Sequence, residues 1–214
     1  MDGWGNKLLD CAFSVATLAA VGLGLEPSAF TSRMTHGPHL LAPTASNFNP
    51  DHHGVLGQAG YHYDLNFITA HGRSRYPGLA VWTRDGSKKW VKIPPGCLLV
   101  QAGKQLEHLT GGVVQAGFHE VVVNNATMDA IATAQAEGKS LWRISSTMFS
   151  HIASDVLLEP LQGVHSSSLP GGQADDGALE AARRAYPPIL AGDMVSAELA
   201  AINLGEGSQS TAAY

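Results

Sequence analysis

The sequence has few cysteines, few positive charges and no hydrophobic run long enough to cross a membrane. Its two cysteines, Cys11 and Cys97, are too few for a disulfide scaffold, and no Cys-x-x-Cys pair indicates zinc binding. Thirteen Lys and Arg residues against eighteen Asp and Glu residues give a net charge of −5, which argues against a nucleic-acid partner. We therefore expect neither a disulfide-stapled domain nor a nucleic-acid-binding protein.

The most apolar stretch, residues 12–25, is shorter than the roughly twenty residues that a membrane-spanning helix needs. The residues before it carry Asp2 and Asp10 against the single Lys7, so they do not resemble the basic leader of a signal peptide. The chain is therefore predicted to be soluble and cytoplasmic, without a membrane partner. Its first helix is predicted to pack on a core.

Histidine, by contrast, is abundant in this chain. Ten histidines stand beside only thirteen Lys and Arg residues, which directs the search towards metal chemistry. The length of 214 residues suits one domain with a sizeable core, and a hydrophobic share of 44% is ordinary for a globular protein.

The middle of the chain consists of short β-like runs separated by turn residues rich in proline and glycine. Runs this short and closely spaced favour a sandwich or barrel over a sheet built from βαβ units. A helix with Thr127 as its N-cap is predicted over residues 127–137, a late strand over 141–152, and two further helices near 178–186 and 193–202. The β-like runs are residues 65–71, 79–83, 89–93, 97–102 and 119–123.

Three residues form a candidate metal site: His62, Asp64 and His119. Residues i and i+2 of an extended segment point the same way, so His62 and Asp64 can converge on one ion. His119 opens the β-branched run of residues 121–123 and supplies a third ligand from a distant strand. Two histidines and one carboxylate are typical of non-haem iron(II) oxygenases, in which three coordination positions stay open. The alternative for His62 and Asp64 is a surface or capping pair.

Other histidines compete for the third ligand position. His71 lies an odd number of residues after Asp64 and is therefore predicted to face away from the site. His108 and His151 have no spacing argument and are predicted to be satisfied polar residues near the surface.

A second candidate pair, Arg143 and Ser145, lies on the late strand at positions i and i+2. An arginine can hold a carboxylate through two hydrogen bonds, and a serine hydroxyl can add a third. The pair could therefore bind the far end of a dicarboxylate whose near end reaches the metal. Taken by itself, Arg143 is better explained as an ordinary exposed arginine on a strand.

At these residues the chain resembles the isopenicillin N synthase-like family of iron(II)- and 2-oxoglutarate-dependent dioxygenases. The resemblance covers roughly residues 40–200, and its motifs follow one another in the family's order. They are the His-x-Asp of His62 and Asp64, PGLAVW (77–82), WVKIPPGCLLVQAGKQLEHLTGG (90–112), His119, Arg-Ile-Ser (143–145) and YPPILAGDMV (186–195).

The resemblance implies a mainly β fold with flanking helices, built on a double-stranded β-helix (a jelly roll, cupin-like). It also implies iron(II) at His62, Asp64 and His119, with 2-oxoglutarate as cosubstrate on Arg143 and Ser145. The implied partners are O2 and a small-molecule substrate that is oxidised, most often by hydroxylation. The sequence predicts no oligomeric state.

The resemblance also divides the chain. Residues 1–39 are predicted to be an N-terminal helical segment, the remnant of a larger region. Residues 40–204 are predicted to be the dioxygenase core, with a helical insert at about 124–140 and C-terminal helices, and 205–214 a flexible tail. Because Arg-x-Ser also occurs in family oxidases that do not consume 2-oxoglutarate, an iron oxidase of the same fold stays open as an alternative. The short N-terminal segment keeps open a truncated, catalytically silent metal-binding domain. A cupin-like binder of sugars or nucleotides is a third.

Overall fold

A computed structural model describes residues 2–49, 59–164 and 177–204 of the chain. The predicted tail at 205–214 lies outside the described residues. Among the described residues, no helix combines the length and the hydrophobicity that a bilayer crossing requires.

The core of the fold is a four-stranded antiparallel sheet, which we call the major sheet. The strands are β1 Leu40–Asn47, β2 Ile68–His71, β3 Leu79–Trp82, β4 Lys88–Trp90, β5 Leu99–Ala102, β6 His119–Val121, β7 Trp142–Ser150, β8 Leu157–Leu158 and β9 Ile189–Leu190. The major sheet has the order β1-β7-β2-β5, so the late strand β7 lies between two earlier strands. A smaller antiparallel sheet has the order β4-β3-β6, and a third sheet pairs β8 with β9. A strand overlaps each of the six predicted β runs, and β1, β8 and β9 are strands that were not singled out.

Helix α1, Asp2–Gly22, packs on the outer face of the major sheet. Its buried stripe is spaced by four residues and consists largely of alanines, which lets the helix lie close to its neighbours. Leu8 of this stripe contacts Ala70 of β2 and Met148 of β7. The helix ends at Gly22, and the short helix α2, Thr31–Met34, follows it.

The two faces of β7 differ in character. Trp142 and Ile144 point outwards and are exposed, and Met148 packs under α1 on the same face. Successive side chains of a strand alternate between faces. Arg143 and Ser145 therefore share the inner face of the major sheet.

Four more helices complete the described structure. They are α3 Lys104–Leu109, α4 Asn125–Ala136, α5 Ala178–Ala185 and α6 Ala191–Leu204. Helix α3 was not predicted; it follows Gly103 and buries Leu106 and Leu109 in the main core.

The predicted N-cap of α4 was wrong. Asn124 caps the helix through its side chain, and Thr127 is the third helical residue, whose hydroxyl is 3.1 Å from the backbone nitrogen of Asn124. The reciprocal pair is a capping box, and asparagine is among the preferred N-cap residues.

Candidate metal centre and adjoining pocket

His62, Asp64 and His119 come together as predicted. One possible ligand atom from each lies within 4.8 Å of the other two. Oδ1 of Asp64 is 3.7 Å from Nε2 of His62 and 3.7 Å from Nε2 of His119. The set can therefore surround one ion on a single face.

A backbone bridge places the two histidines side by side. The N–H of His62 donates to the carbonyl of His119 at 3.0 Å, and the N–H of His119 donates back at 2.8 Å. The pairing is antiparallel, so the two side chains lie on one face with their ring centroids 4.2 Å apart. This long-range bridge joins the His-x-Asp segment to β6.

Backbone carbonyls orient both imidazole rings. Nδ1 of His62 lies 2.5 Å from the carbonyl oxygen of Gly60, and Nδ1 of His119 lies 3.0 Å from that of Gly117. A carbonyl can only accept, so each Nδ1 carries the proton and each Nε2 presents its lone pair to an ion. Burial also lowers the pKa of His119, which favours the neutral ring that a metal needs.

Asp64 is fixed by its own partners. The hydroxyl of Thr69 donates to Oδ2 at 2.6 Å, which leaves Oδ1 facing the histidines. The backbone N–H of Lys104 donates to the Asp64 carbonyl at 2.8 Å and ties this segment to α3. Such supporting bonds set the direction of a metal-ligating carboxylate.

The three members of the triad differ in their exposure to solvent. The His62 side chain is 43% exposed, whereas those of Asp64 and His119 are 6% and 5% exposed. In the described part of the chain, His62 is therefore the solvent-facing member of the triad.

The prediction that His71 faces away was wrong. Its ring centroid lies 6.3 Å from that of His119, and Asp64, His119, Arg143 and His62 all act electrostatically on its pKa. The alternation rule failed because residues 65–67 bend between Asp64 and the start of β2 at Ile68. Both ring nitrogens of His71 have partners, and it is not part of the metal-binding set found among the described residues.

Arg143 lies on the inner face of β7, close enough to His71 to lower the pKa of that ring. Its own pKa is lowered by burial. Its Nε is buried and has no hydrogen-bond partner among the described residues. A buried donor without a partner costs free energy, so this guanidinium fits a site that an anion completes. Ser145 is the next residue on the same face.

His108 and His151 are both satisfied, as predicted. His108 lies 3.0 Å from the carbonyl oxygen of Pro187, and His151 lies 3.2 Å from that of Phe149. His108 is buried rather than near the surface, because α3 carries it into the interior.

Three polar residues that bond to Asp64 or His71 were missed by sequence reasoning: Thr69, Gln101 and Thr147. Thr147 could have been found, since the alternation that pairs Arg143 with Ser145 reaches it at the next step. Gln101 stood out as a polar residue in an apolar run. Nothing in the sequence singled out Thr69, whose role depends on the bend before β2.

More than half of the chain, residues 35–152, matches the sequence model of the 2OG-Fe(II) oxygenase superfamily. The chain is also similar to a protein of Dictyostelium discoideum named "probable iron/ascorbate oxidoreductase", with 26% identity over 59% of this chain and 39% of the relative. Gibberellin 3-beta-dioxygenase 2-1 of Triticum aestivum is 36% identical over 50% of this chain and 30% of its own length. The chain therefore spans less than half the length of these two relatives.

Solved structures share the fold. A 2OG-Fe(II) oxygenase family protein from Caulobacter crescentus superimposes with a TM-score of 0.69 and 28% identity, over 94% of this chain and 58% of its own. A full-length Neurospora crassa protein, solved in complex with alpha-KG (2-oxoglutarate), gives a TM-score of 0.68 at 20% identity, over 94% of this chain and 56% of its own. These likenesses confirm the predicted fold, a mainly β jelly roll with flanking helices.

Proposed function

The chain belongs to the 2OG-Fe(II) oxygenase superfamily, and we propose that it is a non-haem iron(II) dioxygenase. The reaction proposed is oxidative decarboxylation of 2-oxoglutarate coupled to hydroxylation of a small molecule. The observation that carries the proposal is the convergence of His62, Asp64 and His119, together with Arg143, whose buried Nε has no hydrogen-bond partner among the described residues. We assign the oxygenase core to residues 40–204.

Iron(II) is assigned to Nε2 of His62, Nε2 of His119 and Oδ1 of Asp64. Two imidazoles and one carboxylate suit iron(II) and leave coordination positions for small molecules. When bound, the ion supplies the activation of O2: one oxygen atom ends in succinate and the other in the hydroxylated product, with release of CO2. The bonds to Gly60, Gly117 and Thr69 keep the three ligand atoms aimed at one point.

Arg143 and Ser145 are proposed to hold the carboxylate of 2-oxoglutarate that is remote from the metal. The guanidinium supplies charge and paired donors, and the hydroxyl supplies one more donor. Arg143 is partly buried on the inner face of the major sheet, and the lower dielectric there strengthens an ion pair that it forms. Substrate and O2 are proposed to enter past the exposed edge of His62.

An anaerobic titration tests this proposal. Iron(II) and 2-oxoglutarate added to the wild-type protein are expected to produce the weak visible charge-transfer absorption of a metal–2-oxo acid chelate. His62→Ala is expected to remove iron binding. Arg143→Ala is expected to weaken the binding of 2-oxoglutarate while iron still binds. In air, 2-oxoglutarate should be converted to succinate.

The outcomes separate the candidate functions. Iron binding without any response to 2-oxoglutarate would replace the proposal with an iron oxidase or a catalytically silent domain. Absence of iron binding would refute it altogether. A matched control is His36→Ala, because His36 is a surface histidine and its loss should change neither titration.

A further inference from the structure

His71 lies between the metal ligands and Arg143. It is largely buried on the inner face of β2, and its ring contacts that of His119 edge-on. Both ring nitrogens of His71 have hydrogen-bond partners on neighbouring strands, and one of these partners can only donate. One ring nitrogen must therefore accept, so the imidazole carries a single ring proton on the other nitrogen.

The neighbours of His71 determine which nitrogen carries that proton. Nε2 of the ring lies 2.9 Å from the side-chain nitrogen of Gln101, and an amide nitrogen can only donate. Nε2 therefore accepts, and the proton is on Nδ1. Nδ1 in turn lies 3.0 Å from the hydroxyl oxygen of Thr147, so the ring donates to that oxygen.

Because Gln101 donates to His71 and His71 donates to Thr147, the hydroxyl proton of Thr147 has no acceptor in this network. A hydroxyl both accepts and donates, and the donation from His71 uses only its acceptor capacity. Thr147 lies two residues after Ser145 and four after Arg143 on β7, which places the three on the same inner face. Since Thr147 bonds to His71, it lies at the metal end of this row, and Arg143 lies at the other end.

We propose that Thr147 is a binding residue for 2-oxoglutarate, donating its hydroxyl proton to the end of the cosubstrate that faces the metal. His71 and Gln101 are positioning residues, because they fix the hydrogen-bond polarity that turns the Thr147 hydroxyl into a donor. The inference rests on the proposed function and adds a donor beyond Arg143 and Ser145.

Cosubstrate affinity tests the role of Thr147. 2-Oxoglutarate is titrated calorimetrically into the Mn(II)-loaded wild-type protein and into Thr147→Val, which keeps the shape of the side chain. The Kd is expected to rise about tenfold, the effect of losing one hydrogen bond to a charged group. Thr147→Ser, which restores the hydroxyl, should return to within about threefold of the wild type.

A second measurement needs no variant of Thr147. The imidazole ¹⁵N shifts of His71 in the diamagnetic Zn(II)-loaded protein report which nitrogen is protonated. We expect the Nδ1–H form, and we expect it to be lost in Gln101→Leu. Finding the proton on Nε2 would overturn the proposal, because Thr147 would then have to donate to the ring.

The results distinguish failure of the proposed function from failure of the inference about Thr147. If the wild-type protein binds metal but not 2-oxoglutarate, the proposed function and this inference both fall. If the wild type binds 2-oxoglutarate and Thr147→Val binds it equally well, only this inference falls. Thr133→Val is the matched control: it makes the same change on the exposed side of α4, where the hydroxyl donates to the backbone carbonyl of Asp129, and should leave the Kd unchanged.

Discussion

Arg143→Met is expected to make the protein more stable in the absence of 2-oxoglutarate. It is also expected to reduce the stabilisation that added 2-oxoglutarate gives. In the wild type, the Nε of Arg143 is buried without a partner among the described residues, and burial lowers the pKa of the guanidinium. A buried unsatisfied donor costs about 1–3 kcal/mol. Replacing a buried charge with an apolar side chain of similar length is often neutral or stabilising. We expect the free energy of unfolding to rise by about 1 kcal/mol.

The same substitution removes the charge-assisted bonds to the cosubstrate. Two such bonds contribute about 3 kcal/mol or more together, so the Kd for 2-oxoglutarate should rise at least about 100-fold. At a concentration about 100 times the wild-type Kd, the ligand stabilises the wild type by about 2.7 kcal/mol and the variant by only about 0.4 kcal/mol. The order of stabilities should therefore reverse when 2-oxoglutarate is added.

Urea unfolding of the Mn(II)-loaded protein, with and without 2-oxoglutarate, measures both effects in one assay. Arg184→Met is the control, because Arg184 is exposed on α5 and its replacement should alter neither midpoint by much. The reasoning is refuted if Arg143→Met lowers the midpoint without ligand and still gains the full stabilisation when ligand is added.

Three further substitutions test the residues that surround the metal ligands. Thr69→Val removes the donor that holds Oδ2 of Asp64 and should weaken metal binding about 10- to 100-fold, measured by competition with a chelator. Gly103→Ala would place a Cβ 2.1 Å from the backbone oxygen of Asn66, so it should lower the free energy of unfolding by roughly 3 kcal/mol or more in urea. The pKa of His71, lowered by burial to about 4, lies below its ordinary value of 6.5, so the unfolded chain binds the proton first. Stability should therefore fall as pH drops from about 6.5 towards 4, and His71→Phe should flatten that part of the urea–pH profile.

Each of these changes has a control or a contrary outcome. Thr83→Val removes an exposed hydroxyl from a turn and should leave the metal affinity unchanged. Gly60→Ala meets no atom of the described residues within 4 Å of the added Cβ and should be nearly neutral for stability. An unaltered pH profile in His71→Phe would show that the acid sensitivity arises from other groups.

The local sequence pattern determined many of the strands, one helix and the residue pairs of the candidate site. The spacing of two residues between His62 and Asp64, and between Arg143 and Ser145, predicted pairs that share a direction, because side chains alternate along extended backbone. The same short-range rules located the β runs and the helix at α4. They missed α3 and misplaced the α4 cap, where neighbouring candidates for a turn or cap compete within a few residues.

The tertiary structure decided which of these pairs meet and what supports them. The bridge between His62 and His119 joins segments that are far apart in sequence, and pairing of strands at that range leaves no local signal. His71 turned towards the metal site because the chain bends after Asp64, and alternation predicts a direction only while the backbone stays extended. The polarity that frees the Thr147 hydroxyl likewise needs three separate strands, since hydrogen bonds form between atoms that only folding brings together.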